Sequence, residues 1–156
     1  MVKDLTYGGV MMPDVRGVHG STVILISDWH VEGRLPDGRR FCIHVEAGFV
    51  FDGASIPRAL WRLCGHPLET PRIAAALAHD WLYAAHVTDR KTADMIFRAI
   101  CVRVGMVEIR SDVEYAALRI AGDKAWKGHG KDDEIFARAH GALVLEGETM
   151  KGTDKQ

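Results

Sequence analysis

Hydrophobic positions change their spacing near residue 57. Upstream, short β-branched and apolar runs are separated by turn residues, which predicts strands. Thr22-Val23-Ile24-Leu25-Ile26 and Phe41-Cys42-Ile43-His44-Val45 are two such runs, and Gly48-Phe49-Val50-Phe51 is a third that ends at Asp52-Gly53. Between the first two lies Leu35-Pro36-Asp37-Gly38-Arg39, where a Pro of fixed φ and a Gly after Asp make a turn. This part reads as a small antiparallel β-meander.

Downstream the apolar positions take helical spacing. Thr70 as N-cap and Pro71 at the first helical position predict a helix to about Ala85. His86-Val87-Thr88-Asp89 has the length of a helix-hairpin connector. A second helix is expected from Asp89 to Val104, stopped by Gly105. A third, from Ser111 to about Lys127, would open with a Ser111/Glu114 capping box. After Gly128-His129-Gly130 a weaker helix runs from Asp132 to about His140, and residues 146–156 form a polar tail. The expected class is α+β. One domain over residues 1–145 would pack the meander on a three- to four-helix core that contains an antiparallel helix hairpin.

Composition narrows the possibilities. At 156 residues the chain can bury a substantial core without metal or disulfides. Its 47% hydrophobic and 26% charged residues argue against disorder. A formal net charge of −1 gives no support to a nucleic-acid surface, so no nucleic-acid partner is expected. The longest apolar stretch is short of the ~20 residues of a membrane span. Met1-Val2-Lys3-Asp4-Leu5 carries an early acid and begins no apolar signal region, so the protein is expected to be made in the cytoplasm without a signal peptide. The odd count of three Cys fits a reducing compartment and predicts free thiols.

The densest chemistry lies in Ala74-Ala75-Ala76-Leu77-Ala78-His79-Asp80-Trp81-Leu82-Tyr83 and in Thr92-Ala93-Asp94-Met95-Ile96-Phe97. His79 and Tyr83, at i and i+4, share a helix face, with Asp80 flanking it. His79 and Asp94 are equidistant from the connector. In an antiparallel hairpin each then lies roughly 11 Å along its helix from the turn, at the same height. Helix axes ~8–10 Å apart let the two side chains meet. Asp94 shares its face with Phe97 and Cys101, so a partly buried carboxylate is expected, and it needs a partner such as His79 or the Tyr83 hydroxyl. A carboxylate on one imidazole nitrogen fixes the tautomer and leaves the other nitrogen free as a base toward water. Asp80 can then contribute to a divalent-cation site, for which oxygen ligands favour Ca²⁺ or Mg²⁺. The same residues also fit a buried polar cluster that only fixes helix packing.

These two segments resemble the helix-hairpin core of phospholipase A2, in the disulfide-free, short-connector form of parvovirus capsid proteins. The resemblance implies His79 as base, Asp80 as Ca²⁺ ligand, and Asp94 orienting His79 with help from Tyr83. The Gly-rich Y-x-G-x-G calcium loop of that family is missing; the nearest segments are Asp52-Gly53-Ala54-Ser55, which would add Asp52 as a metal ligand, and Cys64-Gly65-His66-Pro67. A second resemblance spans about residue 45 to Gly122-Asp123-Lys124-Ala125-Trp126. Phe51-Asp52-Gly53-Ala54-Ser55-Ile56-Pro57-Arg58 with His79-Asp80-Trp81-Leu82-Tyr83 and Ala93-Asp94 is similar to a phage and prophage family known only as domain of unknown function 1353. It implies a phage origin, hence a bacterial cytoplasm, and no established activity.

The expected function is accordingly a phage-encoded, Ca²⁺-assisted lipid-ester hydrolase acting on a phospholipid membrane surface. The alternative is a non-catalytic virion component of the tail or neck that contacts other phage proteins. A third reading is a small host-directed binding protein. Asp52 and Ser55 can line the cleft or serve plain turn chemistry. Arg58, Arg62 and Arg72 can meet phosphate head groups or be solvated helix charges. Met11-Met12-Pro13 can be core or a docking arm. His66, His86, His129 and His140 lack zinc-ligand spacing.

Overall fold

The computed structural model describes residues 5–147. Its strands form three small antiparallel sheets rather than one meander. β1 (Thr6–Tyr7) pairs with β2 (Val10–Met11); β3 (Val15–His19), β4 (Thr22–Leu25) and β7 (Val50–Phe51) lie in the order β3-β4-β7; β5 (Trp29–Arg34), β6 (Arg40–Val45) and β8 (Gly141–Glu146) lie in the order β5-β6-β8. The three runs expected to be strands supply β4, β6 and β7. β5 and β8 carry weaker patterns. In β5, Trp29 and Val31 face the core while His30 and Glu32 face out, but Gly33 takes the next inward position, so the alternation is short. β8 is an edge strand that registers Leu143 against Ile43 and ends at Glu146, where the polar tail was expected to start. Residues 148–156 of that tail lie outside the described residues. Met11 and Met12 pack on the core and Pro13 is buried, with Trp29 Nε1 donating to the Met11 carbonyl at 2.7 Å.

The helices are α1 (Arg58–Cys64), α2 (Ile73–Ala85), α3 (Arg90–Arg103), α4 (Glu108–Ala121), α5 (Asp123–Lys127) and α6 (Lys131–Ala139). Every residue of α2 is buried. Its alanines at 74, 75, 76, 78, 84 and 85 leave room for neighbours on all sides, and α3, α5, α6, β6 and β7 all pack against it. A helix so enclosed has no polar face, so its His and Asp must find partners inside the protein. α3 starts at Asp89, whose side chain accepts from the Thr92 amide at 2.9 Å and the Thr92 hydroxyl at 2.8 Å. α3 packs antiparallel on α2 and on α4.

Three helix expectations need correction. Thr70 does not cap α2 and Pro71 is not its first residue: the helix begins at Ile73, with Arg72 at the N-cap and no side-chain cap. The Ser111/Glu114 pair is not a capping box: α4 begins one turn earlier, Ser111 is buried inside it, and Glu114 is buried in an ion pair with Arg72 at 2.5 Å. That pairing also removes Arg72 from any role at a surface phosphate, since it is only 4% exposed. The single helix expected from Ser111 to Lys127 is broken at Gly122, where α4 gives way to α5. Gly122 has ordinary helical φ and ψ; it is required because a Cβ there would lie 2.6 Å from the Tyr83 hydroxyl. All three cysteines are free. Among the described residues no helix is long and apolar enough to cross a membrane.

Trp81 ties the layers together. It is fully buried, its indole N–H donates to the Ala137 carbonyl of α6 at 2.9 Å, and the first residue of β8, Gly141, lies against its ring so closely that a Cβ would be 2.7 Å away. Trp81→Ala is therefore expected to cost about 3–5 kcal/mol of unfolding free energy in a denaturant titration, while Val144→Ala, at an exposed position of β8, is expected to stay within ~0.5 kcal/mol. Equal effects of the two changes would contradict this packing.

Candidate active site

The hairpin of α2 and α3 brings His79 and Asp94 into contact: His79 Nε2 lies 2.9 Å from Asp94 Oδ1. One turn along α2, the Tyr83 hydroxyl donates to the same oxygen at 2.6 Å. The second oxygen, Oδ2, accepts from Arg119 Nη1 of α4 at 2.8 Å and has Arg90 Nη1 at 3.5 Å. His79 and Asp94 are completely buried. Burial alone would push the Asp94 carboxyl up, but the hydrogen bond and charge of His79, the Tyr83 hydroxyl and Arg119 outweigh it and hold the group below the usual carboxylate range. Burial and the same carboxylate push the Tyr83 phenol up, so it stays protonated as a donor.

On the other side of the imidazole, Ser55 Oγ lies 2.8 Å from His79 Nδ1. Ser55 stands on the turn that joins β7 to α1, and its hydroxyl also contacts Asp80 Oδ1. The turn is pinned from below, since the Gly53 amide donates to Asp80 Oδ2 at 2.7 Å. Within the turn, the Ala54 amide donates to Asp52 Oδ1 at 2.8 Å and the Ile56 amide to the Gly53 carbonyl at 3.0 Å. Gly53 has φ +74, and a Cβ would sit 2.6 Å from Pro67, so only glycine serves here. Asp80 behaves oppositely to Asp94: burial outweighs the Ser55 hydrogen bond, the His79 charge and the Gly53 amide, and its carboxyl is raised.

Two arrangements of protons satisfy the whole chain, and the one with a neutral ring leaves a base facing Ser55. The ionised Asp94 can only accept, so Nε2 carries hydrogen. With the imidazole neutral, Nδ1 is then a bare acceptor and Ser55 donates to it. The serine has only one proton, so in that arrangement the Asp80 carboxyl is the donor, whereas with a charged ring Nδ1–H donates to Ser55 and Ser55 donates to Asp80 Oδ1. The result is a continuous line from Asp80 through Ser55 and His79 to Asp94.

This line ends at a cleft of about 400 Å³. Phe49, Val50, Phe51, Ala84 and Phe136 give it apolar walls, and Asp52, Ser55 and Asp80 are among its polar lining. His79 is not part of the lining; it stands behind Ser55. The expected site residues thus divide into an inner set (His79, Tyr83, Asp94), a boundary residue (Asp80) and a cleft residue (Asp52).

Among the described residues the carboxylates are not gathered into a calcium cradle. Ca²⁺ takes about 6–8 oxygen ligands at ~2.3–2.6 Å. Both oxygens of Asp80 are engaged, by Ser55 and by the Gly53 amide, and Asp52 is tied to its own turn. Among the described residues, no group of three or more His, Cys, Asp or Glu side chains is placed to hold a metal ion.

Three participants were not assigned from sequence. Ser55 was read as turn or cleft residue without its link to His79. Arg119 comes from a helix 25 residues beyond Asp94, and nothing in local spacing marks it. Arg90 was readable, being at i−4 from Asp94 on α3.

No curated protein and no solved structure matches the chain. A family model described as a protein of unknown function (DUF1353) matches residues 26–118, from just after β4 to the last turns of α4. The matched stretch contains Ser55, His79, Asp80, Tyr83, Arg90 and Asp94; Arg119 falls one position beyond it. The chain belongs to the DUF1353 family.

Proposed function

We propose that the chain is a phage-encoded hydrolase of lipid esters, similar in its helix-hairpin core to phospholipase A2, with His79 as the base and Asp94 as the residue that positions it. The observation that carries the reading is the hydrogen-bonded line from Asp94 through His79 Nε2 and Nδ1 to the lining of an apolar cleft. A buried carboxylate on Nε2 fixes the tautomer, and it stabilises the imidazolium that forms when Nδ1 takes up a proton. The apolar walls suit an acyl chain, and a phospholipid membrane surface is the proposed source of substrate. Similarity to a phage and prophage family supports synthesis in a bacterial cytoplasm. No step is assigned to Ca²⁺, because among the described residues no group of three or more His, Cys, Asp or Glu side chains is placed to hold it.

A second reading, a non-catalytic tail or neck component of a virion, is favoured by two observations. His79 has no exposed surface, and α4 turns Ile109, Val113 and Ile120 to solvent at 69%, 43% and 85% exposure. In that case the polar line fixes helix packing and the α4 face meets other virion proteins.

Hydrolysis of phosphatidylcholine vesicles, measured per folded molecule, separates the two. The hydrolase reading expects a His79→Gln loss of roughly 10²–10⁴-fold. Wild-type protein without turnover, and a variant altered only in its melting curve, would leave the virion reading in front. A chelator is expected to leave the wild-type rate and melting temperature unchanged; a rate that requires added Ca²⁺ would contradict the assignment of the carboxylates made above.

Asp94→Asn is expected to slow turnover and to lower stability by about 2–4 kcal/mol at neutral pH, less than for a fully enclosed pair because Arg119 and Arg90 reach water. A carboxyl lowered by folding contributes stability above its unfolded pKa and loses it as pH falls through the folded value. The gap between wild type and variant should therefore narrow in acid. Urea titrations across the acid range that show a constant or widening gap would refute this.

A further inference from the structure

We propose that Ser55 is a covalent nucleophile, acylated at Oγ by an ester whose apolar acyl chain lies in the cleft walled by Phe49, Phe51, Ala84 and Phe136. The inference rests on the hydrolase reading and changes its chemistry from direct attack by water to a two-step acyl transfer. Three observations carry it.

The first is access. His79 has no exposed surface, whereas Ser55 lines the cleft and covers Nδ1 at 2.8 Å. Water cannot take the position next to Nδ1 while Ser55 occupies it, so the hydroxyl within reach of this base is the serine's own. The second is order. Oγ, Nδ1, Nε2 and Asp94 Oδ1 form a serine–histidine–aspartate relay with consecutive separations of 2.8 Å and 2.9 Å across the ring. A serine is activated by just such an adjacent base that a third group orients. Here the ring is used with its nitrogens in the order Nδ1 to serine and Nε2 to aspartate.

The third is mounting. Ser55 sits on a strand-to-helix turn between β7 and α1, held by the Gly53 amide on Asp80 and by the positive φ of Gly53. A tight strand-to-helix turn projects a side chain away from the backbone and toward a ligand, which is how serine nucleophiles are presented in other hydrolases. Asp80, in this account, is a positioning residue: one oxygen holds the turn and the other holds the hydroxyl.

The steps balance without a co-reactant other than water. Ser55 Oγ forms a bond to the ester carbonyl carbon as its proton passes to His79 Nδ1. The tetrahedral adduct collapses, the bond from carbon to the leaving alcohol oxygen breaks, and that oxygen takes the proton from Nδ1. With the alcohol gone, water reaches the acyl carbon, gives one proton to Nδ1, and forms the new C–O bond. Collapse of the second adduct breaks the Ser55 ester, Oγ recovers the proton, and a carboxylic acid leaves.

The test is labelling of the intact protein with a long-chain alkyl fluorophosphonate, which loses fluoride to an activated serine and stays attached. Mass spectrometry of the wild type should show one adduct on the peptide that carries Ser55. The adduct should be absent in Ser55→Ala and in His79→Gln, and both variants should lose ester hydrolysis by roughly 10²–10⁴-fold. Mapping the label on the wild type keeps the test valid should either variant fold poorly. Label at another residue, or wild-type hydrolysis retained by Ser55→Ala with no adduct, would overturn the nucleophile and leave the hydrolase reading standing. Neither adduct nor hydrolysis in the wild type would overturn both.

Discussion

Asp94 is a carboxylate with no exposed surface, and much of the architecture can be understood as the means of keeping it there. An ion in a protein interior needs its hydrogen bonds and its charge met nearby. His79 and Tyr83 meet one oxygen from α2, and Arg119 and Arg90 meet the other from α4 and the start of α3. Three helices are thereby bound to one side chain. Arg90 extends the arrangement by donating to the carbonyls of Leu118 and Arg119 at the end of α4, where backbone acceptors outnumber the helix's own donors. The glycine at 122, between α4 and α5, follows from the same constraint, because the Tyr83 hydroxyl needs the space that a Cβ would fill.

From this anchor the chemistry runs outward. Because Asp94 must stay ionised, His79 presents hydrogen at Nε2, and the neutral ring has its lone pair at Nδ1. Because Asp80 is buried at the edge of the cleft with a carboxyl raised by burial, the serine between them can direct its proton at the histidine. Two aspartates separated by one imidazole thus have opposite shifts. Such divergence is how a site holds different proton states at one pH. The segment opposite the imidazole of His79 is a serine-bearing turn.

The helix-hairpin part of this arrangement was legible in the sequence because it depends on local periodicity and on symmetry about a short connector. His79 and Asp94 lie at equal distances from the turn, and Tyr83 is one turn from His79, so their meeting needs no long-range information. The contribution of Ser55 was not legible. It depends on how the β7–α1 turn folds across α2, a contact between residues 24 apart that no spacing rule encodes. Asp-Gly-Ala-Ser signals a turn equally well wherever the turn lies. Ser111 and Glu114 show the converse failure: their spacing fits a helix cap, yet a buried Arg72 claims Glu114 and the helix starts earlier. β5 and β8 were missed because a strand paired at a small sheet's edge needs only half of its residues apolar, and Gly33 at an inward position and Val144 at an outward one blur the alternation.

The proton inventory of His79 tests the relay from Ser55 to Asp94 most directly. Long-range ¹H–¹⁵N correlation spectra of the imidazole rings, recorded on uniformly labelled protein at a pH where the ring is neutral and assigned with His79→Gln, report which nitrogen carries hydrogen. The account predicts a protonated Nε2 and a bare Nδ1, with the Nδ1 resonance moving when Ser55 is replaced by alanine. A ring protonated at Nδ1, or a signal indifferent to Ser55, would contradict it.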